Sequence, residues 1–298
     1  MALNSVITNA GAMVALQSLN KTNDMMDVTQ KRISTGYRVA DSKDDGAAFA
    51  VAQKVRGDVA GLTSANEQLG GATGLLDTTL TGLKSISETL SNVKSVMTKL
   101  ADDKIVGEER ANYESQYTQL RQQVGAFVND SSYNGASLLG TSAAADGVAT
   151  ATDGTDFKVV RSEKLATYDL TGQTAGSFDL SDVATVTTGA ADEAAEAAAW
   201  KTALNGSATP AAGQFAFVEK KVNDALNQYG NDSKAISNQV SYNKSKMEAL
   251  ETGLGALIDA DLAKESARMQ SLTIRQQLGT TSLSTANQAP SSLLSLFR

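Results

Sequence analysis

Among its 298 residues the chain contains neither cysteine nor histidine. The first absence excludes disulfides and thiolate chemistry, and the two together exclude the common zinc sites and nucleophile–base pairs. Proline occurs only at Pro210 and Pro290 and aromatics make up 5% of the residues. That composition suits long helices in thin layers better than a thick globular core. The net charge of −7 argues against a nucleic-acid surface. No segment approaches the roughly 20 apolar residues of a membrane span. Met1 to Asn20 has neither the basic flank nor the apolar run of a cleavable signal peptide. On these absences alone the chain reads as cytoplasmic, with no cofactor, no metal, no nucleic-acid partner and no membrane partner.

Charge is also absent locally. The first twenty residues carry no charged side chain, and neither do residues 276 to 297, although 20% of the chain is charged. Both ends are rich in Asn, Gln, Ser and Thr, too polar for lipid and too bare for an ordinary solvated face. Both are expected to be buried against protein in the same place.

What is present is a heptad pattern. Leu62, Leu69, Leu76, Leu83, Leu90 and Met97 fall seven residues apart, and Ala65, Ala72, Thr79, Ile86, Val93 and Leu100 follow each by three. Eleven of these twelve positions are apolar, where a 41% hydrophobic composition would put about five. A seam kept over six heptads predicts a long helix, from about Ala47 to Leu100, bound along its side to other helices. Phe215, Val222, Tyr229, Ile236, Leu250 and Leu257 keep a second sevenfold register, so the partner is most economically the chain's own return arm. Asn243 interrupts that register, and two readings stay open for it: a polar residue that fixes register, or one facing the edge. Glycines 57, 61, 70, 71, 74 and 82 inside the long helix read either as local weakness or as close approach by a neighbouring helix.

Before the long helix, Ala12, Leu19, Met26 and Ile33 mark a first helix that Gly36 ends as a C-cap. After it, Tyr113, Tyr117, Leu120, Val124 and Phe127 form one face of a helix over about 107–129, followed by an Asn134-Gly135 turn. From Thr141 to Ala211 the chain turns to Ala, Thr, Gly, Ser and Asp. Strand-like runs are expected at 156–161, 166–170 and 183–187, and a helix at 192–204. This stretch holds ten acids and four bases, a net of −6, which fits an insert held outward in water. The fold expected is mainly α. Long antiparallel helices form a coiled-coil-like bundle from both termini, with a small α+β or β-rich insert in the middle.

Candidate chemistry is thin. Ser91 to Lys94 and Ser241 to Lys244 match S-x-x-K, but both lie mid-helix without a companion motif. Asp259, Asp261 and Glu265 lack calcium-loop spacing and are expected to pair with Lys264 and Arg268. No Gly-rich phosphate loop follows a strand, and no constellation points to an enzyme.

Several motifs, in order at both ends, carry a family resemblance. Lys31-Arg32-Ile33-Ser34-Thr35-Gly36-Tyr37-Arg38-Val39, Ser42-Lys43-Asp44-Asp45-Gly46-Ala47-Ala48, Gln53-Lys54-Val55-Arg56 and Tyr133-Asn134-Gly135 stand on one side. On the other are Ile258-Asp259-Ala260-Asp261-Leu262-Ala263-Lys264-Glu265, Ala286-Asn287-Gln288-Ala289-Pro290 and the closing Leu293-Leu294-Ser295-Leu296-Phe297. Over about residues 1–140 and 212–298 the chain resembles bacterial flagellin, the subunit of the flagellar filament. The resemblance implies an inner core domain of 1–44 with 255–298, a helical bundle domain of 45–140 with 212–254 and a variable surface insert at 141–211. It implies as well a self-assembling helical homopolymer, located extracellularly and exported by the flagellar type III apparatus without a cleavable signal. It also implies further partners: an export chaperone, a filament cap, hook-filament junction proteins and other flagellins. Where some flagellins carry a stretch read by an animal innate-immune receptor, this chain has Ser91 to Met97 without the arginine and glutamate contacts, so weak recognition is expected.

The assembly core expected is Leu16, Leu19, Met26, Ile33, Leu283, Leu293, Leu294 and Phe297. Arg32, Asp44, Asp45, Arg56, Asp259 and Asp261 are polar candidates between subunits. The intrachain seam is Leu62, Leu69, Leu76, Leu83, Leu90, Met97, Val222, Ile236, Leu250 and Leu257. The rival readings are a hook-filament junction protein and, from another class, an intracellular coiled-coil signalling hairpin.

Overall fold

The computed structural model describes residues 9–142, 151–178, 180, 193–205 and 214–295, and side chains up to residue 288 of the last helix. Among these residues six helices and one hairpin follow in order: α1 (Ala10–Thr35), α2 (Gly46–Leu100), α3 (Gly107–Asp130), β1 (Phe157–Val160), β2 (Thr167–Leu170), α4 (Glu193–Asn205), α5 (Phe215–Ile258) and α6 (Leu262–Ser295). The protein is mainly α, built on long antiparallel helices. The chain divides into two compact units, 1–59 with 248–298 and 60–247, the division falling within α2 and α5.

In the 60–247 unit the opening heptads do what their spacing demands. All twelve seam positions of α2, from Leu62 to Leu100, are buried. Each fully buried Leu contributes roughly 1.5–3 kcal/mol, so this line is the unit's main source of cohesion. The return arm covers it, with Phe215, Val222, Tyr229 and Ile236 buried on α5. The two helices run antiparallel: Lys94 pairs with Glu219 at 3.1 Å and Asn66 with Asn243 at 2.9 Å. Asn243 is fully buried on the seam rather than facing the edge. Leu250 and Leu257, which continue the same register, fall in the other unit and are half-buried there.

Helix α3 turns back along α2, with Lys99 of α2 lying 4.8 Å from the centre of the Tyr113 ring and Tyr117, Val124 and Val128 buried. The turn is tied by Arg110, which is only 3% exposed. Its guanidinium donates to the carbonyls of Leu100 (3.1 Å), Asp102 (3.2 Å) and Ile105 (2.9 Å). A cation there meets the negative end of the α2 dipole as well as its unpaired carbonyls. At the far end of α3, Gly82 leaves no room for a Cβ beside Ser131, and one on Gly74 would stand 3.0 Å from the Tyr133 ring. The nearest neighbours are thus Ser131 and Tyr133, just after α3, with the Phe127 carbonyl of α3 itself 3.6 Å from a Cβ on Gly82. Gly57, Gly70 and Gly71 face open space, which leaves them the weak points that glycine makes in a helix.

The described part of the expected outward insert is packed onto this bundle. β1 and β2 pair antiparallel with Phe157 opposite Leu170 and Val160 opposite Thr167, and α4 matches the helix expected at 192–204. The strand-like run at 183–187 lies outside the described residues. Val159, Leu170, Phe178, Leu180 and Trp200 share one core with the α2 seam, and Trp200 meets Tyr117 edge-on at 4.9 Å. Tyr229 of α5 bolts the loops down. Its hydroxyl donates toward the carbonyls of Thr171 (2.9 Å) and Leu138 (3.3 Å), and burial pushes its phenol up to about 12.

Candidate assembly surface

The 1–59 and 248–298 unit is built differently. Its small core gathers Val39, Ala48, Ala52 and Ile258, with Phe49, Leu254 and Leu257 against them. The connector after Gly36 is pinned there by backbone bonds: Arg38 N–H donates to the Ile258 carbonyl at 2.7 Å and Ala260 N–H to the Gly36 carbonyl at 2.9 Å. Gly36 adopts φ +74° and its N–H closes α1 onto the Arg32 carbonyl.

Beyond that core, α1 and α6 lie antiparallel along a single seam. Asn9 caps α1, its carboxamide oxygen accepting from Ala12 N–H at 3.0 Å, while its Nδ2 donates to the Ala286 carbonyl at 2.7 Å. Further along, a Cβ on Gly279 would stand 3.2 Å from Leu19. Gln276 then donates to Asn23 at 3.0 Å and Arg32 pairs with Glu265 at 3.1 Å. Among the described side chains of α6, the buried and half-buried ones are Glu265, Met269, Leu272, Gln276, Gly279, Leu283 and Ala286. They alternate four and three apart and so form a heptad line that faces Ala12, Ala15, Leu19, Thr22, Met26, Thr29 and Ile33 of α1. Only Thr22, Thr29, Glu265 and Leu272 on the two lines are fully buried.

Much of the described remainder of both helices is open. Met13 is 65% exposed, Val14 66% and Leu278 64%, and Leu16, Val28, Ile274 and Leu262 are exposed as well. The described parts of the two charge-free ends are thus brought together, one on each helix, with Met13, Val14, Leu16 and Leu278 left exposed.

The residues expected to form the assembly core fall on both sides of this pair. Leu19, Met26, Ile33 and Leu283 are half-buried on the α1–α6 seam and Leu16 is exposed. Leu293 and Leu294 continue the α6 backbone, with side chains outside the description, and Phe297 lies outside the described residues. The polar candidates all have engagements inside the chain. Arg32 holds Glu265, so the pairing expected for Glu265 with Lys264 and Arg268 is corrected: the partner comes from α1. Asp45 caps α2, accepting from Ala47 and Ala48 N–H at 3.1 and 3.0 Å, and Asp261 caps α6 in the same way through Ala263 and Lys264. Asp44 accepts from the Ala40 and Asp41 amides and from Lys31. The Ala40 bond first, then the Lys31 ammonium, holds its carboxyl below the usual aspartate range. Arg56 stacks over the Tyr37 ring at 5.7 Å, and Asp259 bridges Tyr37 through the backbone.

Met13, Val14, Val28, Ile274 and Leu278 were not singled out from sequence. They lie off the sevenfold line of α1 and on a helix whose own line is interrupted by Glu265, Gln276, Gly279 and Ala286, so no apolar period announces them. Among the described residues no group of acidic side chains could hold a metal ion, and no helix is long and apolar enough to cross a membrane.

Comparison with known proteins agrees with this architecture. Residues 6–144 match the model of the bacterial flagellin N-terminal helical region, and residues 220–297 that of the C-terminal helical region. Flagellin FljK of Caulobacter vibrioides is 33% identical over the full length of both chains, and a flagellin of Brucella melitensis is 28% identical over 99% of each. A protein of Vibrio parahaemolyticus described as flagellar hook-associated shares the fold, at a TM-score of 0.56 and 14% identity, over 72% of this chain and all of that one. With both helical regions matched and full-length identity above 30% to a curated flagellin, the chain belongs to the bacterial flagellin family.

Proposed function

We infer that the chain is the structural subunit that polymerises into the bacterial flagellar filament, the propeller for swimming. The observation that carries this reading is the α1–α6 pair: two long helices that bury one thin seam against each other and leave Met13, Val14, Leu16, Ile274 and Leu278 exposed on charge-poor surfaces. A head-to-tail contact whose rotation does not close generates a helical filament, and copies of the same pair supply the missing cover. Full-length identity to flagellins favours this over a hook-filament junction protein, and membership of a flagellar structural family favours it over an intracellular signalling hairpin.

The finer parts of the reading are proposals. The inner core domain is 1–44 with 255–298, where Leu16, Leu19, Met26, Ile33, Leu283, Leu293, Leu294 and Phe297 pack between copies. Residues 45–140 with 212–254 form a helical bundle domain, and 141–211 a variable surface insert. Arg32, Asp44, Asp45, Arg56, Asp259 and Asp261 set the polar contacts between subunits. Export runs through the flagellar type III apparatus with a chaperone, and growth occurs beneath a cap. Deleting residues 279–298 tests the core: polymerisation should be lost in electron micrographs while the circular dichroism and melting of the 60–247 unit persist. Normal filaments from that truncation would overturn the assignment.

A further inference from the structure

The sevenfold line of α5 is apolar and fully buried at Phe215, Val222, Tyr229 and Ile236, and its next member, Asn243, is fully buried too. A carboxamide in a hydrophobic seam costs free energy unless both its ends are bonded, and here both are. Asn243 Nδ2 donates to Asn66 Oδ1 on α2 at 2.9 Å and to the Arg161 carbonyl at 3.0 Å. Its Oδ1 accepts from Gln239 Nε2 at 2.9 Å, and Gln239 also reaches the Arg161 carbonyl at 3.4 Å. One side chain therefore touches three separate elements: α2, α5 and the turn that joins β1 to β2.

The grip on that turn continues on either side. Lys246, one turn further along α5, pairs with Glu163 at 2.5 Å. On α2, a Cβ on Gly61 would stand 3.2 Å from the Glu163 Cβ, so the turn comes close to the bare helix backbone. The turn is tied internally by Arg161 N–H to the Ala166 carbonyl and Leu165 N–H to the Ser162 carbonyl, with Leu165 at φ +59°. Nothing in this arrangement survives a shift. Sliding α5 by one heptad along α2 would set the Asn243 amide against apolar seam positions and leave the Arg161 carbonyl without its donor.

We propose that Asn243 is a register key, a buried polar clasp that aligns α2, α5 and the β-turn together and is retained for uniqueness of alignment rather than for stability. A polar residue at one seam position of a coiled coil sets register at a cost in stability, and replacing a buried polar group by a well-packed apolar one is often neutral or stabilising. A merely stabilising hydrogen-bond network predicts the opposite sign.

The test uses the full-length chain, whose lack of cysteine makes disulfide mapping clean. Thr63→Cys with Met247→Cys reports the native alignment, since the Thr63 hydroxyl lies 3.6 Å from the Met247 sulfur. Thr63→Cys with Val240→Cys reports the alignment shifted by one heptad. In the unaltered background only the native pair should oxidise. Asn243→Leu should melt at the same or a higher temperature, allow the shifted pair to oxidise, and raise amide exchange at residues 161–166 by roughly tenfold or more. The proposal is overturned if Asn243→Leu oxidises only the native pair and leaves exchange at the turn unchanged. Should that variant fail to fold, Asn66→Ala removes a single bond from a half-buried position. Oxidation of its shifted pair supports the proposal, and its absence overturns it.

Discussion

The α2–α5 bundle and the α1–α6 pair use the same heptad spacing to opposite ends. On α2 every one of the twelve seam positions is buried, and residues beside the line, Leu75 and Val96 among them, are buried as well because α3, the hairpin and α4 close around it. On α1 and α6 the seam mixes Ala, Thr, Glu, Gln and Gly with Leu19, Met26, Ile33, Met269, Leu272 and Leu283, four of its members are fully buried, and further large apolar side chains, Met13, Val14 and Leu278 among them, lie exposed outside it. The first region carries its own partners within one chain. The second holds its helices in line but covers little of them, which is what a part completed by other copies requires. Spacing thus determines which helices pair, and the residues off the seam determine whether the pair is finished.

The sharpest way to break this contrast is a matched pair of truncations. Leu69→Ala in the α2 seam should cost about 3 kcal/mol, the usual range for a buried Leu that leaves a cavity, and lower the melting temperature of the monomer. Leu16→Ala on the exposed face of α1 should leave that melt unchanged and weaken or abolish polymerisation, read by sedimentation. Equal effects of the two on the monomer would remove the distinction. Next in size is Arg110→Ala. It strips three charge-assisted bonds from the carbonyl end of α2 and should destabilise the 60–247 unit by about 3 kcal/mol, with little change in exchange at α1 and α6.

Smaller effects follow from titration. Tyr229 and Tyr168 are both raised to about 12, chiefly by burial, from an ordinary 10.0. A raised tyrosine pKa means the folded state favours the neutral phenol, so its stabilisation is complete below pH 10 and is lost as pH climbs toward 12. An ultraviolet titration should show these two ionising late and together with unfolding of the bundle, and Tyr229→Phe should remove part of that dependence. At the acid end the Lys246 ammonium lowers the Glu163 carboxyl below its ordinary 4.5. Its contribution is present above that value and is lost as pH falls through the lower folded value. Docking of the β-turn should therefore loosen in acid, and Glu163→Gln should make the turn's protection factors, exchange corrected for the intrinsic rate, insensitive to pH over that window.

Much of the bundle was legible in the sequence because its period is written in large apolar residues. Leu62 to Leu100, Phe215 to Ile236, the Gly36 cap and the Asn134-Gly135 turn each carry a local signal with one physical meaning. The α6 line was not legible, since Glu265, Gln276, Gly279 and Ala286 break its apolar period, and the residues that meet them, Arg32, Asn23, Leu19 and Asn9, are found only in the fold. Arg110 reads as a surface charge because the three carbonyls that bury it appear only when α3 turns back. The acidic count of 141–211 pointed outward, whereas Val159, Leu170, Phe178 and Trp200, few and far apart, anchor the described part of that stretch.

Hydrogen exchange on the same protein as monomer and as sheared filament tests the central claim most directly. Amides of 10–35 and 262–288 should be weakly protected in the monomer and far slower in the filament, while those of 62–100 stay equally protected in both. Equal protection of α1 and α6 in the two states would contradict it.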